Sequence, residues 1–290
     1  MKKDLAAALT AASRAPEVDL ARASLLIARI ETPGLDPEPY IARLDEMGRA
    51  ARQVIDECQS AAGALSPERC VGALNDYLFE TLGFEGNNDR YEDPRNSCLN
   101  EVLDRRTGIP LTLSVVYVEV ARRAGLQLEG VNFPGHFLVR CSEMSASHPL
   151  VIDPFHGGAV LSEHQCRMLL RTHVGSEIAF SPSLLAPATP HEVLLRMLSN
   201  LKRVYVHMRS FPQARDVTDL LLALTPSSLG ELRDRGLLAY HMNDHTAALR
   251  DLQAYLTLSS MSEADRAEQE DLEQVWEHVK TLRRRVASLN

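Results

Sequence analysis

From residue 3 to about residue 60 the apolar positions fall at helical spacing. Leu20, Ala23, Leu26, Ile27 and Ile30 form one stripe, and Ile41, Leu44, Met47 and Ala51 form another. Pro33, Gly34, Pro37 and Pro39 separate the two. Ser66 and Pro67 mark a further helix start, which leads into CVGALNDYLFETLGF. Residues 83–96, GFEGNNDRYEDPRN, are polar and rich in turn formers, so a loop is expected. A helix over 96–106 follows, capped by Asn96 or Ser97 and stopped by Thr107-Gly108. The next segment begins at Pro110. Leu113, Val116, Tyr117, Val120, Ala121 and Ala124 make one stripe, which predicts a buried helix. Pro110 suits its first turn, where a missing N–H costs nothing, and Gly125 suits its end.

The period then changes. HFLVRC (136–141) and LVID (150–153) are short, rich in β-formers and separated by SEMSASHP, the pattern of an antiparallel hairpin with a long loop. Phe155-His156-Gly157-Gly158 reads as a turn and residues 159–161 as a third strand. Helices followed by a small sheet define an α+β domain. The prolines of SPSLLAPATPHE (181–192) mark a linker, and everything beyond it is helical. At an offset of about 34 residues, Leu198 aligns with Leu232, Ala214 with Ala248 and Leu221 with Tyr255. Tyr205 falls beside Tyr240, Pro226 closes the first unit, and the small Ala214, Ala248 and Gly236 let paired helices approach. This pattern resembles the tetratricopeptide repeat, with leucine at the tryptophan-type position of both units. An unrelated pair of helical hairpins is the alternative. A last helix over 263–288, carrying Trp276, is expected to cap the array, with Arg283, Arg284 and Arg285 suited to its C-terminal end.

Composition agrees with a packed protein: 45% of the 290 residues are hydrophobic and 24% charged. The length suits about two domains, read as residues 1–182 and 193–290. A net charge of -8 weighs against nucleic acid or an anionic membrane surface as the main partner. No apolar run approaches the roughly 18 residues of a membrane span. Arg14, Glu17 and Asp19 interrupt the N-terminal apolar stretch, so no clean signal peptide is seen and a cytoplasmic location is expected. Cys58, Cys70, Cys98, Cys141 and Cys166 are odd in number and widely spaced without a CxxC, which reads as reduced thiols.

Three features stand together in mid-chain: the helix from Pro110, then PGHFLVR, then IDPF. That is the order of a Cys-His-Asp hydrolase of the transglutaminase type, where a thiol at a helix N-terminus is served by an imidazole and an orienting carboxylate. The hairpin returns Asp153 to within a couple of residue steps of His136, on one face, with Leu138 and Arg140 nearby. A His and an Asp on adjacent strands also occur by chance. The motifs GFEGN, NSCLNEVL, RRTGIPLTLS, PGHFLVR and IDPFHGG closely resemble those of the SirB-type family, over about residues 40–260. The resemblance implies an α+β, transglutaminase-like (cysteine-proteinase-type) domain of helices plus a small antiparallel sheet, followed by an all-α tetratricopeptide-like array. It leaves the chemistry open, because the function of that family is poorly defined.

It also implies a departure. Active transglutaminase-like enzymes carry Gly-x-Cys at the start of the central helix, and the matching residues here are Gly108-Ile109-Pro110. Pro110 has no thiol, hydroxyl or amine with which to attack an acyl carbon. His136 and Asp153 match the other two triad positions, as remnants. Ser114, one turn into the helix, and Cys98, in the preceding helix, stand as unorthodox nucleophiles.

Histidines 136, 148, 156, 164 and 173 are concentrated near Cys141 and Cys166, but His164-x-Cys166 supplies too few ligands for a zinc site. His241 and His245 flank a turn of the second repeat. These are read as surface or structural histidines, and no metal or cofactor is expected. Asn87, Asn88, Tyr91, Asn96 and Arg106 either fasten a loop by Asx-type hydrogen bonds or line a peptide-reading groove beside His136. The expectation is a non-catalytic interaction or regulatory protein, with a protein or peptide partner in a groove between the domains, and with neither nucleic acid nor membrane as partner. The alternative is an acyl-transfer or thiol-hydrolase enzyme using His136 and Asp153 with Cys98 or Ser114. A third, metal-dependent chemistry around His136, has only the local wealth of histidines behind it.

Overall fold

The computed structural model describes residues 2–62, 66–141, 149–175, 178–259 and 275–282. Helices α1 (Lys2–Ser13), α2 (Leu20–Ala28), α3 (Glu38–Ala62) and α4 (Pro67–Asn75) come first. Asp19 caps α2 by accepting from the Arg22 N–H at 2.9 Å. Pro67 opens α4, and a π-helical stretch, Asp76–Thr81, extends it. By contacts the chain divides into two units, one of residues 12–197 and one of residues 1–11 with 198–290.

The expected loop at 83–96 contains a two-residue strand, β1 (Glu85–Gly86), which pairs in parallel with β2 (Thr107–Gly108). The helix expected from 96 starts later, as α5 (Leu99–Arg105), and neither Asn96 nor Ser97 caps it. Both residues lie in a preceding 3-10 turn, Pro94–Ser97, and Cys98 takes the cap position without a side-chain bond. The Asn96 amide is engaged elsewhere: it donates to Arg90 O at 2.7 Å and accepts from Asn87 Nδ2 at 3.1 Å.

Helix α6 (Pro110–Arg123) is buried nearly all round. Its far end is tied to α3 by Arg123, which donates to Asp45 at 2.6 Å and also pairs with the buried Glu119. The sheet is antiparallel and, among the described residues, has the order β3 (Leu128–Val131), β4 (Leu138–Cys141), β5 (Leu150–Asp153), β6 (Ala159–Leu161). Strand β3 was not expected, and β4 begins two residues later than its sequence run. The register sets Arg140 opposite Val151 and Asp153 opposite Ala159. Val131, Leu138 and Val151 share one buried face with Cys166 and Leu170 of α7 (Glu163–Val174). Alternation leaves Val139 and Ile152, both fully buried, for the other face. Helix α7 also went unexpected, although Ser162 and Gln165 form its capping box.

The proline-rich stretch 181–192 is not a free linker. Pro187 bridges to Val131, the Ala188 N–H donates to Gly130 O at 2.7 Å, and Arg140 Nη1 donates to Leu185 O at 2.7 Å. Helix α8 (Pro190–His207) already begins inside it. Prolines are tolerated there because the edge of a sheet needs no N–H from every residue.

In the other unit, the C-terminal part of α8 and α9 (Phe211–Leu224) make one helical hairpin, and α10 (Leu229–His241) and α11 (His245–Ser259) a second. Each hairpin turns through one non-glycine residue in the left-handed region, Arg209 (φ 56°) and Asn243 (φ 58°), which match at the repeat offset. Ala214 and Ala248 are fully buried. A Cβ on Gly236 would stand 2.7 Å from the Leu252 side chain, so the close crossing of α10 and α11 needs glycine. Lys202 ties the hairpins together through Glu231 and Asp234, both at 2.7 Å. Helix α1 joins this unit, where Thr10 Oγ1 donates to Ala223 O at 3.5 Å. Residues 275–282 are helical, and Val275, Val279 and Leu282 pack into the core of α10 and α11 while Trp276 is exposed. The rest of the expected capping helix, with Arg283, Arg284 and Arg285, lies outside the described residues.

One partly buried chain of hydrogen bonds fixes α6 against the β5–β6 turn. Tyr117 OH donates to Asn75 Oδ1 at 2.8 Å, and Asn75 Nδ2 donates to Gly158 O at 2.8 Å. Tyr117→Phe leaves the Asn75 acceptor without its donor, and should lower stability by about 1–3 kcal/mol in urea unfolding. A loss below about 0.5 kcal/mol would show that the chain does not hold the turn.

Candidate functional site

The site is made by two turns at one end of the sheet. The first precedes β4. Its Gly135 adopts φ +73°, and a Cβ there would lie 2.4 Å from the Cβ of His173 on α7. Glycine therefore serves twice, for the left-handed backbone and for the approach of α7. The turn delivers His136, whose N–H donates to Phe133 O at 3.1 Å. The second turn follows β5, where Asp153 is the last strand residue and caps the 3-10 turn Pro154–His156.

These turns bring His136 and Asp153 together. His136 Nε2 lies 3.0 Å from each Asp153 carboxylate oxygen. Asp153 Oδ1 also accepts from the Phe155 N–H at 3.1 Å, and Oδ2 from His156 Nδ1 at 2.8 Å. An ionised carboxylate only accepts, so both imidazole nitrogens donate to it. His136 is 4% exposed and Asp153 1%, whereas His156 is exposed. Two further imidazoles stack on His136: His156, at 6.0 Å between ring centroids, and His173, at 5.4 Å. Phe155 meets His136 edge-on, and Tyr91 meets Phe155 edge-on in turn.

Burial alone would raise the Asp153 carboxyl, but the hydrogen bonds and charge of His136, and then of His156, outweigh it and hold the group below the usual carboxylate range. His173 is lowered, first by burial and then by the neighbouring His136.

The remaining candidates are elsewhere occupied. Pro110 is the buried first residue of α6, behind Ile109 at the cap. Cys98 is fully buried, its thiol faces Pro94 O at 3.7 Å, and burial followed by the charge of Glu31 pushes it up to about 12. A thiol so raised is protonated at neutral pH. Ser114 is fully buried, and its Oγ has no hydrogen-bond partner among the described residues. Asn87 and Asn96 bond to each other, with Arg105 donating to Asn96 at 3.2 Å, and Arg106 donates to Leu82 O at 2.6 Å. Of the polar group proposed for binding, Tyr91 is the member joined to the His136 cluster, through Phe155. His164 is exposed on α7, His241 stacks on Phe211, and His148 lies outside the described residues.

Sequence reasoning missed His156 and His173 as members of the cluster. His156 was within reach of it, three positions after Asp153 in IDPFHGG, where a tight turn doubles back. Nothing near His173 in the sequence marks it, since the helix that carries it was not expected.

The comparisons with known proteins agree with this architecture. Residues 38–199 match the family described as the transglutaminase-like superfamily, and residues 201–278 match the tetratricopeptide repeat. A UPF0162 protein of Xylella fastidiosa is 41% identical over 238 residues, 81% of this chain and 82% of that one. The chain belongs to the transglutaminase-like superfamily and, within it, to the UPF0162 family. The mouse F-box only protein 21 is 35% identical over 182 residues, which are 59% of this chain and 28% of the mouse protein. The crystal structure of menin is similar at a TM-score of 0.43 and 13% identity, over 93% of this chain and 72% of that chain. No helix among the described residues is long and apolar enough to cross a membrane.

A carboxyl lowered in the fold stabilises it above the unfolded pKa of about 3.9, and that contribution fades as pH falls through the folded value. The gap in urea midpoint between the parent chain and Asp153→Asn should therefore be widest near neutral pH and shrink below about pH 4. A gap independent of pH would show that the Asp153 charge contributes nothing.

Proposed function

We propose that this chain is a non-catalytic transglutaminase-like protein that works in regulation or assembly, holding a protein partner on its tetratricopeptide repeats. The finer kinship, with the SirB-type proteins, belongs to the same proposal and rests on the motifs from GFEGN to IDPFHGG. One observation carries the reading: His136 and Asp153 are paired as a base and its orienting acid, yet the position that should hold the nucleophile is proline. A base with nothing to activate does not perform acyl transfer. The unorthodox nucleophiles are poorly placed for it. Cys98 is buried with its thiol pushed up to about 12, and Ser114 is sealed inside α6. The repeats offer the surface a partner needs, including the exposed apolar Val206 and Met208 at the end of α8.

Iodoacetamide at neutral pH should label exposed Cys58 and leave buried Cys98 untouched until the chain unfolds. Acyl-transfer assays with glutamine and amine donors should show no turnover. Turnover that disappears in a folded Cys98→Ala or Ser114→Ala variant would replace this reading with the enzymatic one. On the binding side, a protein captured by the full chain should be lost with Val206→Glu/Met208→Glu and kept with His136→Ala. The opposite pattern would place recognition at the His136 cluster.

A further inference from the structure

We propose that His136, Asp153 and His156 form a binding site for a single divalent transition-metal ion of the zinc class. The proposal does not depend on the protein-binding reading, since a metal can serve a scaffold as well as an enzyme. Three ligand atoms converge: a ring nitrogen of His136, a ring nitrogen of His156 and a carboxylate oxygen of Asp153 all lie within 4.8 Å of one another. Oδ2 is the shared corner, 3.0 Å from His136 Nε2 and 2.8 Å from His156 Nδ1. Around a tetrahedral zinc with bonds of about 2.0–2.1 Å, ligand atoms stand about 3.3 Å apart. The two edges to Oδ2 therefore need to open by only a few tenths of an ångström, and the third, between the imidazole nitrogens, is no longer than 4.8 Å.

The chemistry of the donors selects the ion. Two imidazole nitrogens and one carboxylate suit zinc and its neighbours, whereas magnesium and calcium prefer oxygen alone. Three protein ligands leave a further coordination position for water or for a group of the partner.

The surroundings are those of a supported site. The Phe155 N–H holds Oδ1 at 3.1 Å, which leaves Oδ2 to point at the ion. The rings of His156 and His173 stack on His136, and Phe155 meets it edge-on. His136 and Asp153 are buried, but the side chain of His156 is 57% exposed, which gives the ion a way in. Binding requires bare nitrogens at His136 Nε2 and His156 Nδ1. In each neutral ring the proton passes to the opposite nitrogen, so the Asp153 oxygen exchanges two N–H donors for one cation. The ligands are far apart in sequence and one of them lies in a turn, so no spacing motif announces the set.

The test uses the full chain freed of metal by dialysis against a chelator. Titration with cobalt(II) should give visible ligand-field absorption that saturates at one equivalent and is displaced by zinc. Zinc should also raise the thermal midpoint. His156→Ala, at an exposed position, should keep the fold by circular dichroism, weaken binding at least tenfold and abolish the zinc-dependent rise. His164→Ala, an exposed histidine outside the cluster, should change neither. Absence of saturable cobalt absorption in the parent chain, or binding that survives His156→Ala, would overturn the proposal.

Discussion

A carboxylate taken out of water must be matched by donors, and the folded end of the sheet is organised around that requirement at Asp153. The Phe155 N–H comes from the turn that follows, His136 from the turn that enters β4, and His156 from the same 3-10 turn as Phe155. Each bond fixes a different piece of chain to one oxygen pair. His136, once fixed, gives His173 a ring to stack on, and that contact is possible only because Gly135 has no side chain. Phe155, once turned inward, rests on the short β1 and takes Tyr91 on its edge. Removing the acid would undo a geometry, not merely a charge.

The elements legible in the sequence were those whose burial is written in a period. Helix α6 carries an apolar stripe long enough to admit one reading, and β5 is four residues of LVID. Those that escaped owe their form to partners. Strand β3, LEGV, has apolar residues only at its ends and becomes a strand by pairing with β4. Strands β1 and β2 are two residues each, too short for any period. Helix α7 buries little beyond Cys166 and Leu170 along its length, so its stripe is thin, and only the Ser162–Gln165 capping box signals its start. The prolines of 181–192 read as a linker, but the stretch is held against a sheet edge and α8 begins inside it.

The site was legible to the extent that it lies on a hairpin. Alternation and the loop length bring His136 and Asp153 to one end, and they meet there. The imidazoles stacked on His136 arrive by other routes. His156 arrives because a turn with left-handed Gly157 and Gly158 folds the chain back on itself, and His173 because a helix from further along crosses the glycine. Clusters assembled from a turn and a crossing helix leave no mark in local spacing.

Proline at the head of α6 and the cluster on the sheet are each stable for reasons of their own. At the first helical position the fixed φ and missing N–H of proline favour the helix. A buried acid and imidazole are costly to keep unless each polar atom is satisfied, and breaking one partner away leaves the other stranded. The carboxylate is satisfied from both turns, since His136, His156 and the Phe155 N–H all bond to it. These bonds hold the two turns of the sheet together, and the exposed edge of His156 opens the cluster to solvent, where the proposed cation would enter.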